Sequence, residues 1–213
     1  MPFRHLAPVF LLLLMLAHTG ANAEPLTFGQ QGSFLLQGGI GYMYESSEVT
    51  STIGVDNTSA THTVNVGPEF GYFIVDNFHF GIALKYLFTH AATEGGSVSN
   101  DSSVLIGLRP AYYIPLNETR GASVYLRGLI GYSGGNISNQ DDSDDVLEFD
   151  YDGLAAGAGL GLAFAFGGDL GGVVQIGLDY LYRNVTTTIV DTVLQFDLVA
   201  HRITIGIDVG LYF

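Results

Sequence analysis

Of the 213 residues, 47% are hydrophobic and only 13% charged, about half the ~25% usual in soluble domains. Seven basic against 21 acidic residues give a net charge of −14, which is no electrostatic footprint for nucleic acid. With no Cys there is no disulfide framework, thiol catalysis or Cys-based metal site, and the plentiful Phe, Tyr, Leu, Ile and Val exclude a disordered chain.

In chain order, residues 1–23 read first, as a secretory signal peptide. Arg4 and His5 make a weakly basic start. Val9 to Ala17 is an apolar run too short to span a bilayer as a helix, and Ala21-Asn22-Ala23 is a small-x-small cleavage site. Cleavage leaves one domain, residues 24–213. No later stretch approaches 18 consecutive apolar residues, so no transmembrane helix is expected.

From about residue 32 the hydrophobic period is two, not 3.6. Eight runs follow, at 33–45, 61–74, 78–88, 102–114, 122–133, 153–166, 173–185 and 198–213. Each carries an apolar stripe, such as Phe80, Ile82, Leu84 and Tyr86 in the third and Ile203, Ile205, Ile207 and Val209 in the eighth. The connections alternate. Those at 75–77, 115–121 and 167–172 are short. Those at about 46–60, 89–101, 134–152 and 186–197 are long and rich in Ser, Thr, Asn, Asp and Gly. Helix readings fail because Gly recurs through the runs. The pattern predicts an all-β fold, an eight-stranded antiparallel up-and-down transmembrane β-barrel.

The second face of each run decides which side meets water. In the sixth run it holds Gly153, Ala155, Gly157, Gly159, Gly161, Ala163 and Ala165. A solvated stripe would carry Lys and Glu instead. Small residues fit the narrow interior of an eight-stranded barrel, so the apolar face points outward to lipid. The strands run past the ~9–11 residues that cross the hydrocarbon, so some sheet is expected to project above it. Tyr42, Tyr44, Phe70, Tyr72, Phe78, Phe88, Tyr112, Tyr132, Phe166, Tyr182 and Phe213 fall near stripe ends, where aromatic girdles lie.

Together with the terminal Gly206-Ile-Asp-Val-Gly-Leu-Tyr-Phe213, this architecture resembles the small eight-stranded outer-membrane proteins of Gram-negative bacteria, the OmpX, Ail and OmpA transmembrane-domain type. The resemblance covers the whole mature chain. It implies an outer-membrane location and recognition of the C-terminal strand by the barrel assembly machinery.

By alternation five of the six mature basic residues face inward: Lys85, Arg109, Arg127, Arg183 and Arg202. The inward acids are Glu69, Asp179, Asp208 and, near the outer rim, Glu45. Counted from the short-turn end, Glu69, Lys85, Arg109, Arg127, Asp179 and Asp208 fall at one depth, three positive and three negative. Isolated charges there are expensive, so pairing is expected. The plainer role is a structural plug that fills the lumen and fixes register. The resemblance to the OmpA domain implies a second, a gate whose pairs exchange to open a small pore.

The long-connection end carries Glu45, Glu48, Asp56, Glu94, Asp101, Asp141, Asp142, Asp144, Asp145, Glu148, Asp150, Asp152, Asp191 and Asp197, two thirds of the 21 acids. The plainer reading is a solvated acidic surface. The sharper one is weak bridging by Ca²⁺ or Mg²⁺ to outer-leaflet phosphates, although the D-x-D-x-D-G-x₅-E loop is absent.

No enzyme is expected. There is no G-x-S-x-G and no H-E-x-x-H. The mature histidines His62, His79, His90 and His201 are followed at two positions by Val64, Gly81, Ala92 and Ile203, so the His-x-Ser pair of a lipid deacylase is missing. Only His90 with Asp101 and Ser102 offers an acyltransferase-like set. No catalytic residue, cofactor or metal site is assigned. The function expected is a surface structural or interaction protein acting in adhesion, envelope integrity or lipopolysaccharide contact. The alternative is a small diffusion channel gated by the lumen charge layer. The partners expected are outer-membrane lipids, lipopolysaccharide, surface ligands and divalent cations, with no nucleic acid, and the barrel is expected to be a monomer.

Overall fold

The computed structural model describes residues 27–50, 56–93, 98–140, 146–167, 170–189 and 195–213; the expected signal peptide lies outside them. Eight strands follow: β1 (Phe34–Thr50), β2 (Asp56–Val75), β3 (Phe78–Thr93), β4 (Val98–Pro115), β5 (Ala122–Gln140), β6 (Val146–Gly167), β7 (Gly171–Ile189) and β8 (Gln195–Tyr212). Each pairs antiparallel with its neighbour in chain order, and β8 returns to β1, so the sheet is a closed barrel. Closure is what lets a sheet cross lipid, because it leaves no backbone edge unpaired there. The β1–β8 ladder runs from Leu35↔Tyr212 to Tyr42↔Ile205. Beyond it, Phe34 and Phe213 exchange two backbone hydrogen bonds of 2.7 and 3.1 Å and stack their rings. The terminal Phe213 is thus a closing residue.

Period two sorts the side chains as expected, with hydrophobes outside. Ile40 is 58% exposed while Leu35 on the same strand is fully buried. Ile82, Ile106, Ile130, Leu154 and Ile203 face outward on their strands. Each large apolar side chain moved from water into lipid is worth roughly 1.5–3 kcal/mol, so this outer surface is stable only in a membrane. Its upper limit is marked by polar–aromatic pairs on the outer face. Tyr42 bonds His62 at 2.8 Å, Tyr180 bonds His201 at 2.6 Å, His90 bonds Asn100 at 2.8 Å, and Tyr132 bonds Asp152. From Phe34 to Tyr44 the strand rises about 33 Å, or about 25 Å along the normal when tilted, the height of an outer-membrane apolar band.

The long connections differ from expectation. Pairing continues to Thr50↔Asp56, Ala92↔Val98, Gln140↔Val146 and Thr188↔Gln195, so most residues read as connection are strand. Above the membrane both faces of a hairpin meet water and the hydrophobic alternation fades. The ladder of backbone hydrogen bonds needs no apolar stripe to persist.

The opposite end is corked. Residues 27–33 fold back across the mouth, and Phe28, 3% exposed, sets its ring edge-on to Phe73, Tyr113 and Tyr212 at 4.9–5.6 Å. Its backbone is held by Asn77 N donating to Gly29 O (2.6 Å) and Gly32 N to Phe73 O (3.0 Å). Gln31 N donates to Asp76 Oδ1 at 2.8 Å, and Arg120 Nη2 to Asp76 Oδ2 at 3.0 Å. These two donors hold the Asp76 carboxyl below the usual carboxylate range.

Candidate functional site

The six residues counted to one depth are brought together inside the barrel. Glu69 comes from β2, Lys85 from β3, Arg109 from β4, Arg127 from β5, Asp179 from β7 and Asp208 from β8. Arg109 Nη1 meets Glu69 Oε2 at 2.7 Å and its Nη2 reaches Asp179 Oδ2 at 3.5 Å. Arg127 grips Asp179 with two bonds, Nε to Oδ1 at 2.8 Å and Nη2 to Oδ2 at 2.6 Å, and sends Nη1 to Asp208 Oδ2 at 2.6 Å. Lys85 Nζ stands 3.6 Å from Asp179 Oδ2. Three cations and three carboxylates are therefore one connected set, with the bidentate geometry that makes Arg–carboxylate pairs strong.

The other two strands make room for it or extend it. A Cβ at Gly39 of β1 would overlap the Asp208 carboxylate, and one at Gly159 of β6 the Asp179 carboxylate. The small-residue stripe of the sixth run thus seats charge as well as thinning the lumen. Gln37 of β1 donates Nε2 to Glu69 Oε2 at 2.9 Å, and Gln175 of β7 donates to Gln37 Oε1 at 2.8 Å and to the Tyr113 hydroxyl at 3.0 Å. His79, fully buried and inward as expected, lies 3.8 Å from Glu69 Oε1. The guanidinium of Arg127 lies 4.8 Å from the Tyr125 ring centroid, a cation–π contact. Below the layer, Phe73, Tyr113 and Tyr125 join Phe28 in one buried cluster.

A second charged cluster sits higher. Asp101 Oδ2 accepts from Arg183 Nη2 at 3.2 Å and Arg202 Nη2 at 3.1 Å, and its Oδ1 accepts from the Tyr151 hydroxyl at 2.5 Å. Arg183 Nη1 also donates to the Tyr151 oxygen at 2.8 Å and to Ser103 Oγ at 3.2 Å. This corrects the placement of Asp101 among the acidic connections: it is 7% exposed and points into the lumen. The alternation that turns Ser103, Leu105 and Arg109 inward runs on to Asp101, one residue beyond the expected end of the run. Two inward arginines, Arg183 and Arg202, against the single inward acid Glu45 near the outer rim were the available signal.

A closed sheet with a lipid-type exterior and a charge-paired interior is the setting for the comparison with known families. The family model "Outer membrane protein beta-barrel domain" matches residues 9–211. The chain belongs to this family. It is an outer-membrane β-barrel protein, located in that membrane. No curated protein is significantly similar to it in sequence. Among solved structures, the outer-membrane protein OprG of Pseudomonas aeruginosa is 14% identical, with a TM-score of 0.54 over 86% of this chain and 97% of that one. Neisserial surface protein A is 12% identical, with a TM-score of 0.45 over 84% and 97%. The N-terminal barrel domain of OprF from Pseudomonas aeruginosa is 17% identical, with a TM-score of 0.44 over 86% and 98%. At such identities OprG shares the fold and nothing finer.

In this outer-membrane barrel the remaining candidates are dispersed. His90 is on the outer face against Asn100, while Asp101 turns into the lumen, so the acyltransferase-like set does not converge. Glu148, Asp150, Asp152 and Asp197 are exposed on the projecting sheet. Asp141, Asp142, Asp144, Asp145, Glu94 and Asp191 lie outside the described residues, as do the side chains of Glu45, Glu48 and Asp56. Among the described residues no group of three or more His, Asp and Glu is placed to hold a metal.

Proposed function

We propose that this outer-membrane barrel is a surface structural and interaction protein whose lumen is closed and whose projecting sheet makes the contacts. The observation that carries this reading is the filling of the lumen in succession by the Phe28 cork, the six-charge layer and the Asp101 cluster. A barrel so filled works through its outside. The exposed acids of β6 and β8, and the polar–aromatic belt beneath them, suit contact with lipopolysaccharide, directly or through divalent cations. The barrel acts as a monomer in the outer-membrane lipids, its C-terminal strand being the part read by the assembly machinery, and it is not an enzyme.

The test is to refold residues 24–213 and replace residues 136–150 by a two-residue Asn-Gly turn. The shortened barrel is expected to fold as before and to lose binding to lipopolysaccharide-containing vesicles. Unchanged binding contradicts the reading. A second reading, a small channel gated by the charge layer, is favoured by one feature. Asp179 is shared by Arg109, Arg127 and Lys85, so one carboxylate has three exchangeable partners.

A further inference from the structure

Between the two charged clusters lies a cavity of about 30 Å³, roughly twice the ~10–15 Å³ that one water needs. Among the described residues its wall carries four cations, Lys85, Arg109, Arg127 and Arg202, against the single acid Asp179, with the buried Thr204 beside them. Arg109 and Arg127 are spent on Glu69, Asp179 and Asp208. The other two have donors to spare. Lys85 Nζ is beyond hydrogen-bond distance of Asp179, whose Oδ2 already accepts from Arg127. Arg202 Nη1 is buried with no hydrogen-bond partner among the described residues.

The charge count points the same way. The described side chains of the two clusters hold five cations (Lys85, Arg109, Arg127, Arg183, Arg202) and four carboxylates (Glu69, Asp101, Asp179, Asp208), one positive charge in excess before Glu45, whose side chain lies outside the described residues, is counted. An uncompensated buried cation is strongly unfavourable, and unpaired guanidinium N–H groups add to that.

We propose that this cavity is an anion site that takes one small monovalent inorganic anion of halide size between Lys85 and Arg202. Room for about two waters suits a single-atom ion. The ion neutralises the excess charge and accepts from Lys85 Nζ, Arg202 Nη1 and the Thr204 hydroxyl. The inference does not rest on the surface role proposed above, since a closed barrel and a narrow channel would both hold the ion.

The test is a sodium bromide titration of refolded residues 24–213 in chloride-free detergent micelles, following the ¹⁵N resonances of the Arg side chains and the Lys85 ammonium. Sodium gluconate at equal ionic strength is the control. Saturable shifts at Arg202 and Lys85 that gluconate does not reproduce are expected. Thr204→Val keeps shape and fold and is expected to weaken binding about tenfold, the effect of one hydrogen bond to a charged group. Arg202→Gln is expected to abolish saturation. Shifts that rise linearly, or equally with gluconate, overturn the proposal. Glu45 on β1 supplies the decisive second variant. In Glu45→Gln the bromide affinity is expected to be unchanged. A barrel that binds only once Glu45 is neutral makes that carboxylate the missing counter-ion and overturns the site.

Discussion

The two charged clusters in the lumen solve one problem differently. The lower layer draws six charges from six strands and balances them three against three. The upper cluster sets one carboxylate between two guanidiniums and lends it a tyrosine hydroxyl. The lower layer is sealed beneath by aromatic rings, whereas the upper lies where the sheet leaves the membrane and water is near. Deep in a membrane barrel, charge balance has to be met by the protein itself. Nearer the rim an unbalanced charge is tolerable, because solvent or a small ion completes it.

The sharpest way to break this contrast is to remove the arginine that holds two carboxylates. Arg127→Ala strands Asp179 and Asp208 together, and the loss expected is about 3–5 kcal/mol, read from urea unfolding in detergent micelles. Arg109→Ala acts in the same direction by leaving Glu69 with only the Gln37 hydrogen bond and the nearby His79 ring; unchanged stability in both variants would remove the lower layer as a stabilising unit. Asp101→Asn leaves Arg183 and Arg202 facing each other near water, and about 2–3 kcal/mol is expected to go.

In halide-free buffer the two clusters should also be independent. Asp101 and Arg109 are eight residues apart on β4, about 27 Å along the strand. Combining Asp101→Asn with Glu69→Gln is therefore expected to cost the sum of the single variants within about 0.5 kcal/mol. A larger coupling would make the lumen one network. The smallest effect is at the corked end. The lowered Asp76 carboxyl contributes stability that is full above the ordinary carboxylate range and is lost as pH falls through its depressed folded value. Asp76→Asn should remove that contribution, lowering stability slightly at neutral pH and leaving the acid side little changed, so that the pH profile flattens; an unaltered profile would show that the cork does not use this carboxylate.

The contrast also shows how far the chain could be read before its fold was known. Strand order, inside–outside sorting and the depth of the lower layer follow from period two and from counting residues off short turns, whose geometry leaves little freedom. Asp101 was hidden because Ser, Asn and Asp around it resemble a connection, and alternation in hydrophobicity stops where both faces meet water. Phe28 was hidden for a different reason. It precedes the first strand, so no periodic neighbour marks it, and its role depends on Phe73, Tyr113 and Tyr212 converging from three strands. Gly159 read correctly as an inward small residue, but that it and Gly39 seat carboxylates needed the register across the β6–β7 and β8–β1 ladders.

The central claim is that the lumen is closed by its own side chains. It is tested most directly by single-channel recording from refolded residues 24–213 in a planar bilayer, beside Arg127→Ala. The account predicts a folded, silent barrel for the natural sequence and discrete current steps only when Arg127 is removed. Steady, reproducible conductance from the natural sequence would contradict it and make the six-charge layer an open gate.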